Sequence, residues 1–177
     1  MNLSYSQLAK QSRWYAEQHP MINRINPAWR HWLLDRGSLT EQLMNFSDEP
    51  FSVKVLSQRW QLPLPHEAQQ LGVPLHLAAR IRQVELYCGD TRMVYARSVM
   101  PLQVYLEQRH VLQNIGTRPL GHLLFKDGKI RISKRRVSLF KGEAGTVLGR
   151  STPYRYEDHE ILVSEFFIND ALIAKPA

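Results

Sequence analysis

The chain has 177 residues, 44% of them hydrophobic and 22% charged, with 23 Lys plus Arg against 16 Asp plus Glu and a formal net charge of +7. That length and apolar share suit one globular domain over residues 1–177 with a real core, and they argue against general disorder. No apolar run is long enough for a membrane-spanning helix. The positive excess fits an anionic partner and leaves nucleic acid, an acidic membrane surface and a small polycarboxylate all open.

The N-terminus, Met1 to Gln18, is polar and amphipathic, with Lys10 and Arg13 spread through it, and lacks the apolar centre of a secretory signal. The reading is therefore cytoplasmic. The one cysteine, Cys88, cannot form an internal disulfide and lies at what looks like a strand end beside Gly89-Asp90-Thr91, so it reads as a bystander. The seven histidines are scattered without the short-spaced pairs of a zinc site, and no metal is expected.

In chain order, Leu3 to Glu17 is expected to be helical, with Leu8, Trp14 and Tyr15 as apolar contacts, until His19-Pro20 breaks it. Asn26-Pro27 caps a helix running to Arg36, with Trp29, Trp32 and Leu33 facing inward and Gly37 ending it. Ser38 and Glu41 have capping-box spacing for a second helix carrying Leu39, Leu43 and Met44. Phe51 to Trp60 is a strand, and Pro63, Pro65, Gly72 and Pro74 mark a loop region around a short helix. Leu77 to Cys88 and Arg92 to Met100 form a hairpin about Gly89-Asp90-Thr91. Leu102 to Ile115 is helical up to Gly116, and a further helical turn is expected within Pro119 to Phe125. Lys129 to Phe140, Arg150 to Tyr156 and Glu160 to Ile168 supply the last strands, with glycines 142, 145 and 149 punctuating the stretch between the first two. Hairpins without a βαβ rhythm give an α+β class: a single antiparallel β-sheet with helices packed against it.

Two charges fall where apolar residues belong. On the strand from Arg80, alternation puts Arg82 on the face of Val84 and Leu86, with Gln83 and Glu85 opposite. In the run Ile161 to Ile168, apolar on both faces, Glu165 stands between Val163 and Phe167. A buried charge demands a partner. One reading is that Arg82 and Glu165 pair with each other or with other protein groups. The other is a pocket with a cationic end, a carboxylate end and apolar walls, suited to a ring with a carboxylate opposite a hydroxyl.

At these residues the sequence resembles the chorismate lyase family. The segments that carry the likeness are Trp32-Leu33-Leu34 with Ser38-Leu39-Thr40, then Arg82 with its strand and turn through Arg97-Ser98-Val99-Met100-Pro101. Gly116-Thr117-Arg118-Pro119-Leu120-Gly121 with Leu123-Leu124-Phe125 follows, then Gly149-Arg150-Ser151, and Ile161 to Phe167 with Glu165. They cover about Ile25 to Ile168 in one order, and the stretch before Asn23, residues 1–22 being read as a helical segment, has no clear counterpart. The resemblance implies an enzyme, a carbon–oxygen lyase that removes pyruvate from chorismate to leave 4-hydroxybenzoate at the start of ubiquinone biosynthesis, without a cofactor. It implies that Arg82 holds the product carboxylate and that Glu165 lies near its hydroxyl. It also implies that the backbone N–H groups of Leu39 and Leu120 complete the carboxylate site, and it makes Arg97 a candidate for a second carboxylate, against a structural ion pair.

The run Lys126, Lys129, Arg131, Lys134, Arg135, Arg136 is more basic than the family pattern. It reads as a solvated strand and turn with Ile130 and Ile132 facing in, since no stacking aromatics are interleaved. The expected partners are therefore a small-molecule substrate and product, with no nucleic acid, no membrane insertion, and a monomer by default. The alternative is a non-catalytic aromatic-acid sensor of the same fold, as in the effector half of some transcription regulators. The stretch before Asn23 is too short for the helix-turn-helix that such regulators carry.

Overall fold

The computed structural model describes residues 8, 12–121, 131–142, 145–156, 159–168, 170 and 172. Eight strands form one antiparallel sheet: β1 (Arg13–Ala16), β2 (Phe51–Gln61), β3 (Ala79–Cys88), β4 (Thr91–Met100), β5 (Arg131–Ile132), β6 (Arg136–Gly142), β7 (Gly145–Tyr156) and β8 (His159–Phe167). Their order across the sheet is β1-β6-β7-β8-β4-β3-β2, with β5 also paired to β7. The described helices are α1 (Pro27–Leu34), α2 (Leu39–Phe46), α3 (Pro65–Leu71), α4 (Leu102–Glu107) and α5 (Arg109–Leu112), with a 3-10 turn at Pro20–Arg24. None of the described helices is long and apolar enough to cross a membrane.

The expected α+β architecture is the one observed, and the N-capping signals act where the residues placed them, although α1 ends at Leu34 with Asp35 as its C-cap, ahead of the expected Arg36 and Gly37. The Asn26 side chain accepts from the Ala28 N–H ahead of α1, and Ser38 Oγ accepts from the Glu41 N–H ahead of α2. The differences have physical causes. Residues 13–16, expected in a helix, form β1 and pair with β6, Trp14 opposite Ser138 and Tyr15 opposite Val137. An open sheet edge outweighed the local helical period, as tertiary pairing often does for a short segment. The rest of that expected helix lies outside the described residues, apart from Leu8, which is helical, Ser12 and Glu17. The helix expected over Leu102 to Ile115 is broken into α4 and α5 at Gln108. The strand expected from Lys129 is divided between β5 and β6 by residues 133–135, and β7 begins at Gly145 with Gly149 inside it. Only Leu120 and Gly121 of the helical turn expected over Pro119 to Phe125 are described as helical, and the turn beyond Gly121 lies outside the described residues.

Antiparallel register sorts the sheet into two faces. On one face lie Val53 and Val55 of β2, Val84 and Leu86 of β3, Val94 and Ala96 of β4, Phe167 of β8, Leu148 of β7 and Val137 of β6, covered by Trp29, Trp32 and Leu33 of α1 and Leu39 and Leu43 of α2. Leu33 and Leu43 are wholly buried, each stabilising the fold by about 1.5–3 kcal/mol. At one end of this face Val104, Leu112, Ile115 and Leu120 pack on Met100, Tyr154, Ile161 and Val163. On the opposite face Leu71 of α3 packs against Ile81, Val99 and Leu162.

Candidate active site

A cavity opens between the first face and the segments over it. It is lined by Leu39, Thr40, Val53, Arg82, Val84, Leu86, Ala96, Ser98, Pro119, Leu120, Gly121, Tyr154, Val163 and Glu165. The alternation of three strands builds its floor: Arg82 lies opposite Ser98, Val84 opposite Ala96, and Ala96 opposite Glu165. The N-terminus of α2 and the Pro119-Leu120-Gly121 turn cover it. They meet closely, for a Cβ on Gly121 would lie 3.7 Å from Thr40 Oγ1 and 3.9 Å from Ser38 Oγ. Of the five residues singled out from the sequence, Leu39, Arg82, Leu120 and Glu165 all line this one cavity.

Arg82 is 2% exposed. Its Nη1 donates to Gln58 Oε1 at 3.1 Å and to the Gly116 carbonyl at 2.8 Å, and its Nη2 donates to the Arg118 carbonyl at 3.1 Å. All of these partners are neutral. Burial pushes the guanidinium below its ordinary pKa. Gly116, at φ +51°, takes the left-handed conformation that glycine tolerates best and delivers its carbonyl to Arg82.

Glu165 is 6% exposed and does not pair with Arg82. Its Oε2 accepts from Arg150 Nε at 2.5 Å, and no described residue bonds its Oε1. Arg150 is wholly buried, donates from Nη1 to the carbonyls of Trp32 at 2.7 Å and Asp35 at 3.1 Å, and lies over the Phe167 ring at 5.7 Å. Burial lowers its pKa, but the Glu165 carboxylate, together with Tyr154 and Asp35, outweighs this, so the net shift is upward. The neighbouring glycine makes the pair fit. A Cβ on Gly149 would lie 2.7 Å from Phe166 Cδ1 and 3.0 Å from the Glu165 carbonyl oxygen, so only glycine lets β7 approach β8 this closely. The Gly149-Arg150-Ser151 segment was legible as a motif, but nothing in its spacing assigned Arg150 to Glu165.

Arg97 is not brought to the cavity. It points to the opposite face, where Nε and Nη2 grip Glu67 of α3 at 2.7 and 3.0 Å, and the same carboxylate caps α3 by accepting from the Leu64 N–H at 2.8 Å. The structural ion pair is the arrangement found.

Among the polar lining residues, Thr40 and Ser98 stood in the quoted motifs without a role, and Tyr154 escaped sequence reasoning. Tyr154 is 3% exposed, and burial, followed by the field of Glu165, pushes its pKa up to about 12, so it meets a ligand as a neutral phenol. The solvated reading of the basic run fails at Arg135, which is 1% exposed. Residues 133–135 break the strand and let its side chain reach the carbonyl end of α1, while Arg131 and Lys134 stay exposed. Lys126, Lys129 and Ile130 lie outside the described residues. Cys88 is buried, its thiol pushed up by burial.

Solved structures share this fold at low identity. The effector domain of PhnF from Mycobacterium smegmatis superposes with a TM-score of 0.56 at 12% identity, covering 78% of this chain and 92% of that one. The C-terminal domain of the histidine utilization repressor from Pseudomonas syringae pv. tomato gives 0.55 at 8%, over 72% and 97%. Sequence relatives are nearer. A probable chorismate pyruvate-lyase from Methylococcus capsulatus is 34% identical over 149 residues, covering 77% of this chain and 92% of the relative. One from Chromohalobacter salexigens is 36% identical over 162 residues, covering 86% and 85%. The chorismate lyase profile matches residues 8–176, beginning within the N-terminal stretch for which the motifs showed no counterpart. With its profile matched along nearly the whole chain, this protein belongs to the chorismate lyase family.

Proposed function

We propose that this protein eliminates pyruvate from chorismate to give 4-hydroxybenzoate, supplying the first committed step of ubiquinone biosynthesis. One observation carries the reading: a buried guanidinium whose partners among the described residues are all neutral, Arg82, shares an apolar cavity with a buried carboxylate, Glu165, that has an oxygen to spare among them. A planar ring with a carboxylate at one end and a hydroxyl at the other complements both.

In this reading Arg82 grips the ring carboxylate through its planar fork, exchanging weak carbonyl contacts for a charge-assisted pair. Leu39 is the first residue of α2, so its N–H has no acceptor within that helix. With the N–H of Leu120 it completes the carboxylate site. Glu165 accepts the ring hydroxyl and sets the ring's orientation, and Val84, Ala96 and Val163 hold its faces. The hydrogen on the hydroxyl-bearing carbon leaves as the neighbouring ether C–O bond breaks. Its bonding pair enters the ring, which becomes aromatic, and the enolpyruvyl group departs with the C–O pair, taking up the proton to become pyruvate. Aromatisation supplies the driving force, so the protein's task is to hold the reactive conformer. No redox change occurs, and no nucleophile or cofactor is required.

The test is to incubate purified protein with chorismate and separate the products. Stoichiometric 4-hydroxybenzoate and pyruvate, with activity lowered by about 100-fold or more in a folded Arg82→Lys variant, is the expected result. Tight binding of 4-hydroxybenzoate without turnover would make the protein an aromatic-acid sensor of the same fold, and near wild-type kinetics in Arg82→Lys would remove Arg82 from the site.

A further inference from the structure

Arg135 shares the condition of Arg82. It is 1% exposed, and every hydrogen bond it makes is to a neutral group: Nε to Thr152 Oγ1 at 3.0 Å, and Nη1 to the carbonyls of Leu33 at 3.1 Å and Asp35 at 2.7 Å. Its Nη2 is buried without a partner among the described residues, as is that of Arg150 beside it. Arg150 spends its charge on Glu165, whereas Arg135 has no ion pair among the described residues. The other carboxylates whose field reaches this pair lie nearer solvent. Glu17 pairs with the exposed Arg36 at 2.7 Å, and half-buried Asp35 accepts from the Gly37 N–H at 2.6 Å.

The position of Arg135 matters. Thr152, which it grips, lies directly across from Val163 of the cavity floor, one strand spacing away, about 4.8 Å. Tyr154 and Glu165, both cavity residues, lie within reach of the Arg135 charge, as does the like charge of Arg150. On the other side of Glu165 the floor is Ala96, Val84, Leu86 and Val53, with no charge. Among the described residues, the positive charge at the Glu165 end therefore lies on the β7 side, at Arg150 and Arg135.

We propose that Arg135 is the specificity determinant for a second negative charge on the ligand, read at the Glu165 end and on the β7 side of the cavity. This rests on the function proposed above. Chorismate bears two carboxylates, and the ether that carries the second is on the carbon next to the hydroxyl. With the ring carboxylate on Arg82 and the hydroxyl on Glu165, that second carboxylate falls near Glu165 and turns away from the apolar strands towards Arg135. Recognition is by field across the wall rather than by contact, effective because the intervening medium is poorly screening protein. Arg82 and Arg135, the two buried cations without a carboxylate partner among the described residues, thus each answer to one carboxylate of the substrate.

The experiment compares three ligands by calorimetry: 4-hydroxybenzoate, its 3-carboxymethoxy derivative, and the neutral carboxamide of that derivative. Wild-type protein is expected to bind the carboxylate about tenfold more tightly than the carboxamide. In Arg135→Gln that preference disappears while affinity for 4-hydroxybenzoate stays within about twofold, and Arg135→Lys keeps most of the preference. Equal affinities for the two derivatives in wild type overturn the proposal, and this arm needs no variant to fold. Equal weakening of all three ligands in Arg135→Gln also overturns it, leaving Arg135 a structural clamp on α1. If 4-hydroxybenzoate itself fails to bind wild type, the reading of the cavity is at fault and this inference falls with it.

Discussion

Arg150 and Glu165 face each other across β7 and β8 at 2.5 Å, and the same guanidinium holds the carbonyls of Trp32 and Asp35. One buried side chain thus orients the cavity's carboxylate and anchors the end of α1, from which the chain runs into the Ser38-Leu39-Thr40 cover. Arg150→Gln is expected to lower unfolding free energy by about 3–5 kcal/mol, because it leaves a buried carboxylate unpaired. Urea denaturation checks it, and a loss below about 1 kcal/mol would mean that Glu165 finds another partner or takes up a proton without cost.

Glu165 accepts from Arg150 through Oε2, and its other oxygen is free among the described residues to accept a hydroxyl. If its role is to orient the ring, Glu165→Gln keeps an acceptor in place and reduces kcat by less than about 100-fold. General-base catalysis is worth about 100–10,000-fold, so a drop towards the upper figure in single-turnover assays would make Glu165 the base.

Arg97 and Glu67 form a bidentate pair on the face away from the cavity, with Glu67 wholly buried. Arg97→Ala should cost about 3–5 kcal/mol of stability while leaving the KM for chorismate unchanged in the folded fraction. A large KM change with little loss of stability, measured by parallel kinetics and denaturation, would return Arg97 to the substrate.

His66 stacks on Trp14 at 5.2 Å, tying α3 to β1. Burial lowers its pKa, with Arg97 and Arg136 adding to that and Glu67 opposing it. The unfolded chain therefore takes up the proton at higher pH than the folded one. Stability from this site is fully present above about pH 6.5 and falls as pH drops through the lowered folded value. Thermal melting of wild type and His66→Phe between about pH 7.5 and 5 should show a steeper loss in wild type. Parallel curves would show that His66 does not set this slope.

The helix starts, the hairpin and the face-by-face placement of Arg82 and Glu165 were legible because each follows from local chemistry. Asn26 and Ser38 cap the helices that follow them, Gly89 carries the turn at φ +56°, and alternation assigns side chains to sides. The family motifs marked four residues that the cavity gathers. Partnership was not legible. Arg82, Arg97, Arg135 and Arg150 look alike in one dimension; the β7-β8 pairing gives Arg150 to Glu165, the packing of α3 on the opposite face gives Arg97 to Glu67, and the other two find neutral partners among the described residues.

By itself the sequence determined the α+β class, the helix caps and the two charges destined for the interior, since periodicity and capping act within a few residues. Only the tertiary structure decided which cation meets which carboxylate, that Trp14 and Tyr15 lie in an edge strand, and that Arg135 is buried. Those outcomes depend on contacts between residues far apart in the chain, as between Trp14 and Ser138 or between Arg135 and the Asp35 carbonyl. In a buried environment the energy of a charge is set by what packing places beside it, not by its neighbours along the chain.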